Sequence, residues 1–296
     1  MNHTLAPPEA AEEGAWSWSI RGGGLSLRKP IIMGILNVTP DSFSDGGRYN
    51  DPEAALRRAE QMLSEGADLI DVGGESTRPG AEPLDAGSEM ERVLPAVRLL
   101  RSELDVVISV DTRRASVAAA ALLEGAHVVN DVSALGDPEM AGVVAKTRAG
   151  LVLMHMRGSP QTMQHLADYG DVVTDVISEL GDRLKVADAA GIAREHVVVD
   201  PGIGFAKRAE HNLQLLARLS ELRLLGRPVL VGVSRKAFLG SLLGDVPPEE
   251  RVVATASACV AGLLAGARIF RVHDVRPVRQ ALGVAEAIRE ASEASQ

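Results

Sequence analysis

Asp111, Asn130, Asp200, Lys236, Arg271 and His273 each stand at or just beyond the end of a short apolar run. A side chain that only had to pack there would be aliphatic. Asn37 closes an earlier run of the same kind, and Asp71 lies in another. Together these positions offer carboxylates (Asp111, Asp200), amides (Asn37, Asn130) and, with Arg78, cations (Lys236, Arg271), with few aromatic rings. A carboxylate accepts two parallel N–H bonds, and an amide both donates and accepts. Carboxylate plus amide therefore suits a flat heterocycle with paired donors and adjacent acceptors. The cations suit an anion such as a phosphate. A polyanion among carboxylates needs them, since unlike charges about 4 Å apart attract by roughly 4 kcal/mol at an effective dielectric of about 20.

An Asp after a strand is also a natural helix N-cap. Asp111 and Asp131, taken singly, fit that reading. It does not account for eight apolar runs that all end in polar groups.

The runs begin near Ile31, Leu69, Val106, Val128, Leu151, Val197, Val229 and Arg268. Their mean interval of about 34 residues is that of a strand, loop, helix and loop. Amphipathic or apolar helical patterns fill the gaps: 52–64, 89–103, 115–123, 140–146, 172–190, 212–219 and 252–266. Asp51-Pro52-Glu53 is a strong helix start. Gly66-Ala67 and Gly125-Ala126 are helix stops, and Gly266-Ala267 repeats the pattern. Alternating strand and helix predicts a parallel sheet with right-handed crossovers, and eight units predict closure into an α/β (β/α)8 TIM barrel. A doubly wound open sheet is the alternative. In a barrel, the eight polar run-ends form one ring at the C-terminal face. Residues 1–15 read as a mobile tail and 16–291 as one domain. Trp16 to Ile20 alternates like a short hairpin strand, with Gly22-Gly23-Gly24 as its turn, and plugs one end of the core.

Hydrophobic content of 46% and a charged fraction of 24% describe a globular protein with a large core. A net charge of −9 argues against a nucleic-acid partner. The single cysteine, Cys259, excludes an intrachain disulfide and reads as buried packing. No basic-then-apolar leader opens the sequence, and its most apolar helix is too short for a bilayer, so the expectation is a cytoplasmic protein without membrane contact.

The segments 34–47 (GILNVTPDSFSDGG) and 71–80 (DVGGESTRPG) resemble the two signatures of the dihydropteroate synthases, the folate-pathway enzymes inhibited by sulfonamides. SVDT at 109–112, NDVS at 130–133, MHMRG at 154–158, DPGIGF at 200–205, GVSRK at 232–236 and RVHDV at 271–275 match in the same order. The resemblance covers residues 31–288.

It implies a (β/α)8 enzyme that joins 4-aminobenzoate to 7,8-dihydropterin-6-ylmethyl diphosphate, giving dihydropteroate and diphosphate. By the same resemblance, Asp111, Asn130, Asp200 and Lys236 hold the pterin. Asn37, Arg271 and His273 take the diphosphate, with Mg2+ on the Asn37 side, and Thr77 also contacts this substrate. Phe43, Arg78, Pro79 and Ser234 surround the aminobenzoate, and Asp111, Lys236, Arg271 and His273 carry the chemistry. The long segments 39–49 and 76–87 are expected to be mobile lids, and a homodimer is expected.

Two rivals share parts of this pattern. A pterin-dependent methyltransferase barrel has no need of Arg78, Ser234-Arg235-Lys236 or Arg271-Val272-His273. An idle pterin-binding subunit has no need of intact loop signatures. His155 reads as a hydrogen-bonded core histidine, and His165, His196 and His211 as surface or capping residues. The Gly202-Ile203-Gly204 turn is no dinucleotide fingerprint, because Phe205-Ala206-Lys207 does not complete one.

Overall fold

A hairpin, β1 (Ser17–Ile20) and β2 (Gly23–Ser26), precedes eight parallel strands in the computed structural model, which describes residues 17–39, 52–76 and 84–293. The tail 1–15, the Asp51 cap and most of both long loops lie outside the described residues. The strands are β3 (Ile31–Asn37), β4 (Leu69–Gly73), β5 (Val107–Asp111), β6 (Val128–Asp131), β7 (Gly150–Met154), β8 (Val197–Asp200), β9 (Leu230–Val231) and β10 (Ile269–Val272). Strands β3 to β8 pair with their sequence neighbours, and β10 pairs with both β9 and β3. The ring closes where Val199 bridges Val229 and its N–H donates to the Pro228 carbonyl at 3.0 Å. The sheet is therefore the barrel, not the open alternative.

The helices are α1 (Pro52–Ser64), α2 (Ala86–Glu103), α3 (Ala115–Leu123), α4 (Met140–Thr147), α5 (Val172–Ala189), α6 (Ala209–Ala217), α7 (Ala237–Leu242), α8 (Val252–Leu264) and α9 (Val275–Glu293). Two begin earlier than their apolar patterns. The Asp85 carboxylate accepts from the Ser88 N–H at 3.0 Å, which starts α2 at Ala86. The His211 ring accepts from the Arg208 N–H at 3.2 Å, which starts α6 at Ala209. The predicted Gly-Ala stops are real. The Gly66 N–H reaches Leu63 O and the Ala67 N–H reaches Met62 O, the paired bonds of a left-handed glycine stop.

Alternation along the strands divides the barrel into layers. Ile31, Met33, Leu69, Val107, Val128, Val152, Val198, Leu230 and Ile269 point inward at the bottom, where Trp18, Ile20 and Leu27 pack against them. Their neighbours Ile32, Ile70, Ile108, Val129, Leu151, Val197 and Phe270 point outward into the helix layer. Two residues above the apolar floor, the inward side chains become Asp71, Ser109, Asn130, Asp200 and Arg271. The polar ring thus has the same parity as the floor and sits directly over it.

The hairpin is the expected plug, with a different turn. Ile20 pairs with Gly23, so Arg21 and Gly22 make the bend, and Gly22 alone takes a positive φ of 84°. Trp18 is fully buried and its indole N–H donates to the His196 carbonyl at 2.9 Å. That contact corrects the surface reading of His196, which is 7% exposed beneath the hairpin. His165 is exposed, His211 is half-buried and caps the start of α6, and Cys259 is buried.

Candidate active site

Arg271 is the centre of the polar ring. Its Nε donates to Asp71 Oδ2 at 2.6 Å and its Nη2 to Asp111 Oδ2 at 2.5 Å. The Asn130 amide donates to the same Asp71 oxygen at 3.0 Å. Asp71 was visible in the sequence only as a strand-end acid without a role. The structure makes it the hinge between the cation and the amide. It is fully buried, and among the described residues its Oδ1 has no partner, nor has the Ser109 hydroxyl beside it. A buried polar atom left unpaired is costly, so both are groups that a polar ligand can satisfy.

Register explains the spacing at the rim. Asn37, Gly73, Asp111 and Asn130 face one another across β3, β4, β5 and β6. A Cβ at Gly73 would stand 3.7 Å from both Asn37 Oδ1 and Asp111 Oδ2. Glycine there keeps open a gap between an amide oxygen and a carboxylate oxygen.

Asp200, on β8, is buried and accepts from the Gly202 N–H at 2.7 Å. Lys236 is half-buried, and its Nζ lies 3.9 Å from the centroid of the Phe205 ring. Phe205 carried no signal in the sequence beyond its place in the DPGIGF segment. Ser234 and His273 meet: the His273 backbone N–H donates to Ser234 Oγ at 3.1 Å, and Oγ lies 2.9 Å from His273 Nδ1. Arg235, between the site residues, forms a two-bond pair with Asp274 at 2.9 and 2.6 Å. That pair turns its side chain away from the cup and fixes its backbone at a positive φ of 58°.

Burial sets the ionisation of the ring. Desolvation pushes the Asp111 carboxyl up to about 7, with Arg271 opposing and Asp71, Glu89 and Asp131 adding to the rise. Desolvation raises Asp200 too, against its Gly202 bond and the cations Lys236, Arg271 and Lys207. Burial lowers Lys236 to about 8, helped by Arg271 and resisted by Asp200 and Asp111. Burial and the nearby Arg271 and Arg235 hold His273 down at about 3, so it is a neutral imidazole. Arg271 stays charged, because Asp71 and Asp111 outweigh its desolvation.

Asn37, Asp111, Asn130, Asp200, Ser234, Lys236, Arg271 and His273 therefore all lie at the C-terminal end of the barrel, as the ring predicts. Phe43, Thr77, Arg78 and Pro79 lie outside the described residues. The helix-cap reading fails for Asp111, which pairs with Arg271. It fails for Asp131 too, whose carboxylate accepts from the Ser133 and Leu135 N–H groups at 2.8 and 2.7 Å and so braces the turn after β6, while α4 begins only at Met140. His155 is the expected core histidine, 3% exposed and bonded on both ring nitrogens.

Residues 33–273 match the family model described as pterin binding enzyme. The dihydropteroate synthase of Synechocystis is 48% identical over 262 residues, 88% of this chain and 91% of that protein. The structure superposes with a TM-score of 0.88 on the Yersinia pestis dihydropteroate synthase in complex with a sulfonamide drug, at 46% identity over 93% of this chain and 99% of that one. The TM-score is also 0.88 against the Xanthomonas albilineans enzyme with 4-aminobenzoic acid, at 42% identity over 93% and 98% of the two chains. With its cup of Arg271, Asp111, Asn130 and Asp200 built at the C-terminal end of such a barrel, the chain belongs to the dihydropteroate synthase family of pterin-binding enzymes.

Proposed function

We propose that the polar cup performs the family's condensation by the following division of labour. Asp200, Asn130 and Lys236 hold the pterin of 7,8-dihydropterin-6-ylmethyl diphosphate. Arg271, His273 and Asn37, with Thr77, take its diphosphate. Ser234, with Phe43, Arg78 and Pro79, borders the 4-aminobenzoate. The observation that carries this reading is the joining of Asp71, Asp111, Asn130 and Arg271 into one bonded cluster over an apolar floor. A flat ring rests against such a floor while its edge meets carboxylate and amide.

The C–O bond to diphosphate breaks first, and the bonding pair leaves with the phosphate oxygen. Arg271 already has Nε and Nη2 committed to carboxylates, which fixes its plane and leaves Nη1 to meet the leaving group. A Ser234 hydroxyl that donates to His273 Nδ1 keeps the imidazole proton on Nε2, as a second donor to phosphate. The pterin methylene becomes electron-poor, and the ionised Asp111 stabilises it across the ring. The aminobenzoate nitrogen then attacks, held in place by its pocket, and loses a proton to give dihydropteroate and diphosphate.

The rim fits Mg2+. Asn37 Oδ1 and Asp111 Oδ2 are hard oxygen donors on either side of the Gly73 gap, and Mg2+ is commonly held by one or two protein oxygens plus substrate phosphates. Among the described residues no group of three or more His, Cys, Asp or Glu side chains is arranged for a metal, so the ion would arrive with the diphosphate. When bound it would neutralise charge on the phosphate oxygens.

The same reading includes a homodimer in the cytoplasm. Exposed Leu242, Leu243, Val253 and Leu264 along α7 and α8 support the dimer, and none of the described helices is long and apolar enough to cross a membrane.

The test is release of diphosphate by purified protein. Release that requires both substrates, and falls when a chelator removes Mg2+, is the expected result. Release without 4-aminobenzoate would overturn the condensation.

A further inference from the structure

We propose that Lys207, which lies outside the cup, is a positioning residue for pterin recognition: its amino group fixes the loop between β8 and α6 on which Asp200 and Lys236 depend. The proposal rests on the pterin reading above.

Lys207 is 4% exposed. Among the described residues no carboxylate reaches its Nζ. It donates instead to the Phe205 carbonyl at 3.0 Å and to His155 Nδ1 at 2.9 Å. With Nδ1 accepting, the His155 proton sits on Nε2 and is donated to Glu179 at 3.0 Å. A neutral imidazole therefore relays one acid to one buried lysine, since burial holds His155 down at about 4. A lysine placed so deep with its acid one residue removed is an expensive arrangement for packing alone.

The loop it grips is strained. Ala206 has a positive φ of 50° and is fully buried, a conformation that a side-chain residue keeps only when its surroundings over-determine it. Two carbonyls pin it. Lys207 takes Phe205 O, and the Tyr169 hydroxyl donates to Ala206 O at 2.9 Å. Arg157 lies over the Tyr169 ring at 4.0 Å and is bonded to Glu179, so both clamps belong to one cluster.

The clamped loop acts on the cup at three points. The Gly202 N–H bonds Asp200. A Cβ at Gly202 would collide with the His155 carbonyl oxygen, so the loop lies directly on the relay. Gly204 leaves room for the Lys236 chain, which a Cβ would meet at 3.0 Å. The Phe205 ring carries Lys236 Nζ. Freeing the Phe205 carbonyl loosens the supports of Asp200 and Lys236 together.

Charge gives a readout that a purely structural role lacks. Burial lowers Lys207 to about 7, Asp200 and Glu179 oppose this, and Arg157 and Lys236 add to it. Glu179 extends from α5, Asp200 from β8, Arg157 and His155 from the segment after β7, and Lys236 from the start of α7.

The experiment compares steady-state kinetics of the full-length wild type, K207M and E179Q between about pH 6 and 9. K207M is expected to raise KM for the pterin diphosphate about tenfold or more and to leave KM for 4-aminobenzoate within about twofold. E179Q keeps the lysine but removes the charge that favours its proton. It is expected to move the rise of pterin KM with pH to lower pH by about half a unit or more. Folded K207M with wild-type KM for the pterin diphosphate overturns the proposal. Should K207M not fold, an E179Q profile that superimposes on wild type overturns it. Wild type that fails to join the two substrates would instead overturn the functional reading.

Discussion

Asp111 and Arg271, 160 positions apart in the chain, meet at 2.5 Å across the mouth of the barrel. Arg271 also holds Asp71, so one cation compensates two carboxylates, and Asp111 is the more exposed of them. Asp111 is thus the acid that a bound substrate can engage without leaving the deeper one unpaired.

The D111N variant should lower kcat by about 100-fold or more, the scale of losing one preorganised electrostatic group. In wild type, kcat/KM should climb as pH rises through about 7, where Asp111 ionises. D111N should lose that limb. The sign for stability is opposite. The folded protein binds the Asp111 proton more tightly than the unfolded chain does, so between the ordinary carboxylate range and about 7 this group makes stability fall as pH rises. D111N should therefore be relatively more stable above pH 7 than below it, which urea melts at two pH values can check.

Removing the cation should act differently. R271M leaves Asp71, fully buried, and Asp111 without their counter-charge. Breaking a buried pair in this way costs about 3–5 kcal/mol, so R271M should lose both Tm and diphosphate release. Thermal unfolding that matches wild type would contradict the assigned network.

K236A should weaken binding of the pterin diphosphate, measured by calorimetry. Lys236 titrates near 8, lowered by burial. Wild-type affinity should therefore decline as pH rises through about 8, and K236A should lose that step while keeping the one near 7 that Lys207 sets. Equal affinities at pH 7 would remove Lys236 from the site.

At the far end of the barrel, W18A should cost about 3–5 kcal/mol, the usual range for a buried Trp. Trp18 touches the floor and not the cup. Folded W18A should keep wild-type kcat/KM at low temperature while its Tm falls. A large loss of kcat/KM in the folded variant would mean that the plug shapes the mouth.

Much of this was legible in one dimension. Parity does it: Leu69 and Asp71, Val128 and Asn130, Val198 and Asp200, Ile269 and Arg271 are each two residues apart. In a strand that spacing puts both side chains on one face, so the polar ring over an apolar floor follows from the sequence once eight strands are recognised. The glycine stops and the plugging hairpin were equally readable, because both depend on local conformation and on apolar pattern. The partners were not. Asp71 looked like any strand-end acid until β10 closed beside β3 and brought Arg271 over it. Lys207 had no role in the sequence beyond failing to complete a dinucleotide fingerprint, until β7 and α5 placed His155 and Glu179 beside it. Sequence fixes which way a side chain faces, because backbone geometry alternates locally. Which charge it meets depends on chain segments up to 200 residues away, and only closure of the barrel decides that.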